Sequence, residues 1–313
     1  MTDGCATDSD APLTYVSGIL NLAKPRGMTS HDAVDLIRRA TGTRRVGHAG
    51  TLDPQAAGVL LVCLGNATRL SDYLMNRTKR YRATIRFGAT STTDDLEGII
   101  ARAASIDHVT EELIRNVAST FVGELEQVPP AFSAIKVAGR PLYKRARAGE
   151  PVVPAARRVR IESVDVLQWK SPDLLIDVVC SKGTYIRSLA RDLGAAVQSG
   201  AYLLSLVRTA SGRFSLTESV PLREVERAAR LGYLENLLYP LDQATSDWPV
   251  ILLAPSEVSR IRNGLIWSGT EGAPGEFARG IDQVSGKLVA LLTYRESEKG
   301  WQPSKVFVEG APE

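Results

Sequence analysis

Two apolar-rich runs, RRVRIESVDVLQW from Arg157 and DLLIDVVCS from Asp173, lie on either side of Ser171-Pro172-Asp173. So short a connection permits only a turn, so the two runs are expected to pair as an antiparallel hairpin. AYLLSLVRTASGRF, from Ala201 to Phe214, shows a second strand-pair pattern, and KRYRATIRFG sets Tyr81, Ala83, Ile85 and Phe87 against Arg80, Arg82, Thr84 and Arg86. The latter strand should have one apolar face and one basic face. Helical spacing appears in HDAVDLIRRA, where Ala33, Leu36, Ile37 and Ala40 recur behind a candidate N-cap at Thr29 or Ser30, and again in VTEELIRNVASTF and TYIRSLARDLGAAVQ. Hairpins mixed with helices, without a strict strand-helix-strand rhythm, predict an α+β fold: a mixed, largely antiparallel central sheet flanked by helices.

With 313 residues the chain has room for one large domain and a small appendage. Residues 1–14 are polar and expected to be disordered, 15–247 form the main domain, and 248–313 form a small β-rich C-terminal domain. Within the main domain, 121–154 is broken by glycine and proline and reads as an excursion from the core. No apolar run approaches the ~18 residues of a membrane span. The opening MTDGCATDSDAP lacks the basic and apolar regions of a signal peptide, so a cytoplasmic protein is expected. Cys5, Cys63 and Cys180 form no CxxC pair, and His31, His48 and His108 show no ligand spacing, so neither disulfide, metal nor cofactor is expected.

Thr41 to Gly58 holds glycines at 42, 47, 50 and 58 and a proline at 54, and reads as a long shaped loop without regular structure. Inside it, GHAGTLDP carries Asp53, a candidate nucleophile or base. An isolated Asp-Pro is otherwise a turn residue, a lone His48 a packed ring, and Arg187 at a helix start a surface cation. Between Lys136 and Lys170 nine basic residues face three acidic ones, among them Lys136, Arg140, Lys144 and Arg147, and between Arg69 and Arg86 six face one. Tracts of this kind, interleaved with Tyr81 and Tyr143, suit phosphate contact and base stacking, with a solvated basic face as the alternative. The tail from Glu271 has five basic and seven acidic residues, which argues against its gripping RNA by charge.

Taken in order, Lys24-Pro25-Arg26-Gly27, Gly47-His48-Ala49-Gly50-Thr51-Leu52-Asp53-Pro54 with Ala56 and Gly58, Lys79-Arg80-Tyr81, and Gly183-Thr184-Tyr185-Ile186-Arg187 resemble the motifs of the bacterial tRNA pseudouridine synthase B family. One departure is visible: Leu206-Val207-Arg208-Thr209 stands where family members commonly read Leu-Arg-Arg-Thr.

The resemblance implies an isomerase that converts the uridine at position 55 of the tRNA T-loop to pseudouridine without a cofactor. The C1′–N1 bond breaks, the uracil turns and C5 joins C1′, so the target nucleotide must be flipped into a closed pocket. By the same resemblance Asp53 is the catalytic nucleophile, acting at C1′ or at C6. Tyr81 stacks on the base and can help move the C5 proton, and Arg187 pairs with Asp53. His48 holds the flipped-out loop conformation, and Lys24, Lys79, Tyr185, Leu206 and Arg208 join Lys136, Arg140, Lys144 and Arg147 as substrate-binding positions. The excursion at 121–154 becomes a thumb over the T-loop and the C-terminal domain becomes PUA-like. A monomer with tRNA as partner, no membrane and no obligatory protein partner is expected. The competing reading is a tRNA chaperone that binds the T-loop without chemistry; a glycoside hydrolase would need a second carboxylate in the shaped loop.

Overall fold

The computed structural model describes residues 16–133, 136–137, 140–142 and 154–307. Eight strands run across the main sheet in the order Val220–Pro221, Gly18–Lys24, Ala57–Leu64, Ala201–Ser211, Lys79–Phe87, Asp173–Cys180, Arg157–Lys170 and Gly123–Gln127. All neighbours along this path are antiparallel except the pair involving Val220–Pro221 and the contact of 57–58 with 207–208. The α+β expectation therefore holds.

The predicted hairpin forms, with Lys170 opposite Asp173. Lys79–Phe87 lies between Asp173–Cys180 and Ala201–Ser211, and its alternation is realised: Ala83, Ile85 and Phe87 are buried while Arg80 and Arg82 point outward. Helix Ser30–Thr41 starts in a capping box between Thr29 and Asp32 and stops at Gly42, whose φ of 66° suits a residue without Cβ. Its inner face carries Ala33, Val34 and Ile37 at full burial, so the apolar stripe is rotated toward Val34 from the spacing expected, and Leu36 and Ala40 are half-buried.

Two boundaries differ from expectation. The long loop contains a strand, Val46–His48, because residues 62–64 of the buried strand Ala57–Leu64 need partners on that edge. The excursion starts later than 121, because Gly123–Gln127 alternates exposed and covered residues and closes the sheet edge against Arg157–Ile161. Of the excursion itself, a short pairing of Lys136–Val137 with Arg140–Pro141 is described; Tyr143, Lys144 and Arg147 lie outside the described residues.

Strand Ala57–Leu64 is an uninterrupted apolar run because both its faces are covered. Leu60, Val62 and Leu64 enter the core under the helices. Val59, Leu61 and Cys63 pack on the opposite side with Ile19, Leu70, Leu291 and Phe307. Leu291 belongs to a four-stranded C-terminal sheet, Val250–Leu253, Phe277–Asp282, Leu288–Arg295 and Gly300–Val306, which carries helix Pro255–Arg262, and Phe307 directly follows its last strand. Arg77 adds a two-pronged ion pair to Asp247, at 2.6 and 2.7 Å, and Arg69 lies 5.7 Å from the centroid of Phe307. None of the described helices is long and apolar enough to cross a membrane.

Candidate active site

The main sheet splits at one place. One edge of Ala57–Leu64 is partnered at its far end by 46–48 and at its near end by 207–208, and between them the ladder is replaced by two isolated contacts: Ala49 N donates to Leu61 O at 2.9 Å and Arg208 Nε to Val59 O at 2.7 Å. Residues 49–56 emerge from this split.

Buried cations and one hydroxyl hold that loop by its backbone. Arg208, 1% exposed, also donates to Gly50 O at 3.0 Å and Thr51 O at 3.4 Å. Lys24, equally buried, donates to Pro25 O, Met28 O and Pro54 O at 2.8, 2.7 and 3.4 Å, and Gly27 N donates to Pro54 O at 2.8 Å. Burial pulls the Lys24 ammonium down to about 8 against the opposing influence of Asp53. Ser30 Oγ donates to Leu52 O at 3.0 Å and accepts from Leu52 N at 2.8 Å. Ala49, Leu52 and Ala56 turn into the core, whereas the Asp53 side chain stays 42% exposed. A rigid backbone thus presents one carboxylate to the outside.

The facing wall is the start of helix Ile186–Ala196. Gln127, buried beside it, brackets Tyr185 by accepting from its N at 2.8 Å and donating to its O at 3.1 Å. Arg187 follows in the first turn, where the helix dipole disfavours a cation, and it is 6% exposed. Two carboxylates offset that cost: Nε lies 3.0 Å from Asp53 Oδ2 and Nη1 lies 3.3 Å from Asp95 Oδ2. The guanidinium also donates to Thr93 O at 3.3 Å and Phe132 O at 3.2 Å. One turn on, Arg191 reaches Asp94 at 2.9 Å, so the same helix face holds the 93–95 turn twice. Burial, opposed by Arg191, raises the Asp94 carboxyl above its usual range.

Between these walls is a narrow cleft lined by Asp53, Gln55, Asp95, Leu96, Arg187 and Leu206, holding about 20 Å³, room for a water or two. Tyr81 is half-buried and stands in register with Arg208 across the strand pair. Burial raises the phenols of Tyr81 and Tyr185, and both lie close enough to Asp53 to feel its charge, which pushes the same way. Burial, and then Arg208, lowers His48, so its ring is neutral near pH 7; its Nδ1 is buried without a hydrogen-bond partner. Among the described residues no three His, Cys, Asp or Glu side chains could share a metal ion. A larger hollow of about 230 Å³ lies against Trp267 and Arg260 in the C-terminal region and shares no residue with this cleft.

The model for TruB family pseudouridylate synthases, N-terminal domain, matches residues 38–186, and that for the tRNA pseudouridylate synthase B C-terminal domain matches 187–246. The tRNA pseudouridine synthase B of Pelotomaculum thermopropionicum is 42% identical over 281 residues, 88% of either chain. The protein of that name from Acaryochloris marina is 42% identical over 295 residues, covering 93% of this chain and 98% of its own. The chain belongs to the TruB family of pseudouridylate synthases. It is therefore an isomerase. In structure it is similar to a chain of a Cbf5-Nop10-Gar1 complex, with a TM-score of 0.73 and 27% identity over 95% of this chain and 86% of that one. A chain of an H/ACA RNP bound to a substrate RNA containing 2′-deoxyuridine matches with a TM-score of 0.70 and 25% identity, over 93% and 85%.

In this pseudouridylate synthase Asp53, Arg187 and Leu206 meet at one cleft, with Tyr81 and Tyr185 nearby. Lys24 and Arg208 lie inside the loop framework, with their donors on carbonyls rather than on an open surface. Lys79 is likewise 5% exposed, donates to Met75 O at 2.6 Å and is brought down to about 8 by burial. The basic tract around Lys79 is largely neutralised across strands: Arg80 and Arg82 share Asp177, and Arg86 grips Asp173 at 2.7 and 2.8 Å. Asp95, Ser30 and Gln127 are site-building residues that sequence reasoning missed. Asp95 reads as one acid in a polar turn, and Ser30 as a candidate cap.

Proposed function

We propose that this synthase converts uridine 55 in the T-loop of tRNA to pseudouridine, with Asp53 forming a covalent bond to the flipped nucleotide. The observation that carries the reading is the pairing of Asp53 with Arg187: a carboxylate on a locked loop, open on one side to solvent and held on the other by a buried cation. An ionised carboxylate fixed in direction is a ready nucleophile. Tyr81 and Leu206 supply an aromatic and an apolar surface for uracil, and Tyr81 can assist transfer of the C5 proton. Since the cleft holds only a water or two, the exposed side chains of Leu96 and Gln55 at its mouth move aside when the base enters.

tRNA as the substrate is supported by the curated relatives of the family. The T-loop, position 55, base flipping and the aspartate mechanism belong to this proposal. So does the division of labour: 15–247 as catalytic domain, the excursion with Lys136, Arg140, Lys144 and Arg147 as a thumb gripping RNA phosphates, and 248–313 as a PUA-like unit. Val207 in place of the family's arginine leaves Leu206 and Arg208 in their roles. The test is an assay for pseudouridine in an unmodified tRNA transcript without added metal or cofactor. Product at position 55 and none in a transcript carrying cytidine there supports the reading; product at another uridine, or none, contradicts it.

A further inference from the structure

We infer that Ser30 is a positioning residue for the reaction: its hydroxyl fixes the direction of Asp53 by clamping the backbone of the residue before it. The inference rests on the reading of Asp53 as nucleophile. Ser30 is the first residue of helix Ser30–Thr41, but Thr29 is the residue that caps that helix, so the Ser30 hydroxyl is free for another task. It is 2% exposed and makes a reciprocal pair with both backbone groups of one residue, donating to Leu52 O at 3.0 Å and accepting from Leu52 N at 2.8 Å. A hydroxyl is suited to this, because it is donor and acceptor at once.

The residue after Asp53 is held from the same segment, through Gly27 N on Pro54 O at 2.8 Å and Lys24 Nζ on Pro54 O at 3.4 Å. Both chain neighbours of Asp53 are therefore pinned by residues 24–30, while Asp53 O accepts from Ala56 N at 3.0 Å. Asp53 keeps freedom only in its side-chain rotamer, and Arg187 removes that. With the clamp gone, Leu52 N and O would be left buried without their partner, and the loop would shift to satisfy them. A displacement of about 1 Å at a reacting group can cost about 10²-fold in rate.

The test uses the full chain with Ser30→Ala and Ser30→Cys, the thiol of the second filling the space while remaining a weak hydrogen-bond partner. Single-turnover rates at saturating tRNA, tRNA affinity and unfolding temperature are measured for each, at a temperature where the variant is folded, with Asp53→Asn alongside. A purely structural role would lower the unfolding temperature and leave the rate of the folded enzyme unchanged. The inference expects a rate loss of about tenfold or more with affinity within about threefold, and it expects this of Ser30→Cys should Ser30→Ala not fold. Wild-type rates within twofold for the folded Ser30 variants, with Asp53→Asn inactive, overturn the role of Ser30 alone. An active Asp53→Asn overturns the reading of Asp53 itself.

Discussion

Arg187 Nε lies 3.0 Å from Asp53 Oδ2, yet its N–H is not aligned on that oxygen for a hydrogen bond. The contact is one of charge, and the guanidinium is held in place by others: Asp95 Oδ2, Thr93 O and Phe132 O. Arg187 thus serves Asp53 from a fixed socket.

Arg187→Lys keeps the charge but loses the planar fork that reaches several acceptors at once. A fall of about 10²-fold in the single-turnover rate with tRNA affinity little changed is expected. Arg187→Met leaves the buried carboxylate of Asp95 without its cation, with only its hydrogen bonds from Thr93 and Glu97, and should also destabilise the fold by about 3 kcal/mol. Urea unfolding beside rapid-quench rates separates the two effects.

Gly58 has a φ of +106°, and a Cβ there would stand 2.2 Å from Arg208 O, at the split from which the loop carrying Asp53 emerges. Gly58→Ala must both strain the backbone and part the 57–58 and 207–208 contact. A destabilisation of about 3 kcal/mol is expected, together with loss of activity in whatever protein folds. Denaturant unfolding with wild-type stability would show that the strands separate freely.

Asp177 is buried between Arg80 and Arg82, and its hydrogen bonds to Arg82 hold its carboxyl below the ordinary 3.8. As pH falls below that value the unfolded chain takes up a proton that the folded chain does not. Stability from this group is therefore full above pH 3.8 and lost as pH falls through the lowered folded value. Asp177→Asn should cost about 1.5 kcal/mol near neutrality and flatten the acid limb of unfolding free energy against pH. An unchanged limb would remove Asp177 from the acid response.

Much of this fold is readable because its signals are local. The alternation of Lys79–Phe87, the Thr29–Asp32 capping box and the turn at Ser171-Pro172-Asp173 each depend on residues a few positions apart. Asp53 stands out for the same reason, lodged between glycines and a proline. The missing parts are long-range. Arg80, Arg82 and Arg86 count as a basic tract until strand pairing brings Asp177 and Asp173 across from them. Asp95 looks like a solvated turn acid until Arg187 is found beneath it. Strands Val46–His48 and Gly123–Gln127 exist because particular sheet edges need partners, which neither segment announces.

Lys144→Ala and Arg147→Ala, in the proposed thumb, should each weaken tRNA binding and lower the slope of log affinity against log salt by about one. Arg82→Ala should leave that slope unchanged, because both prongs of its guanidinium are already taken up by Asp177. Filter binding over a salt series checks this, and equal slopes in all three variants would return the thumb cations to an ordinary solvated face.

The central claim is that Asp53 performs the chemistry from a scaffold that other residues build, and Asp53→Asn tests it most directly. Rapid-quench measurement of pseudouridine formation with saturating tRNA, beside tRNA affinity, should show no product above background while affinity stays within about tenfold, since an amide is no nucleophile and the phosphate contacts lie elsewhere. Turnover by Asp53→Asn at a rate near wild type would contradict the account.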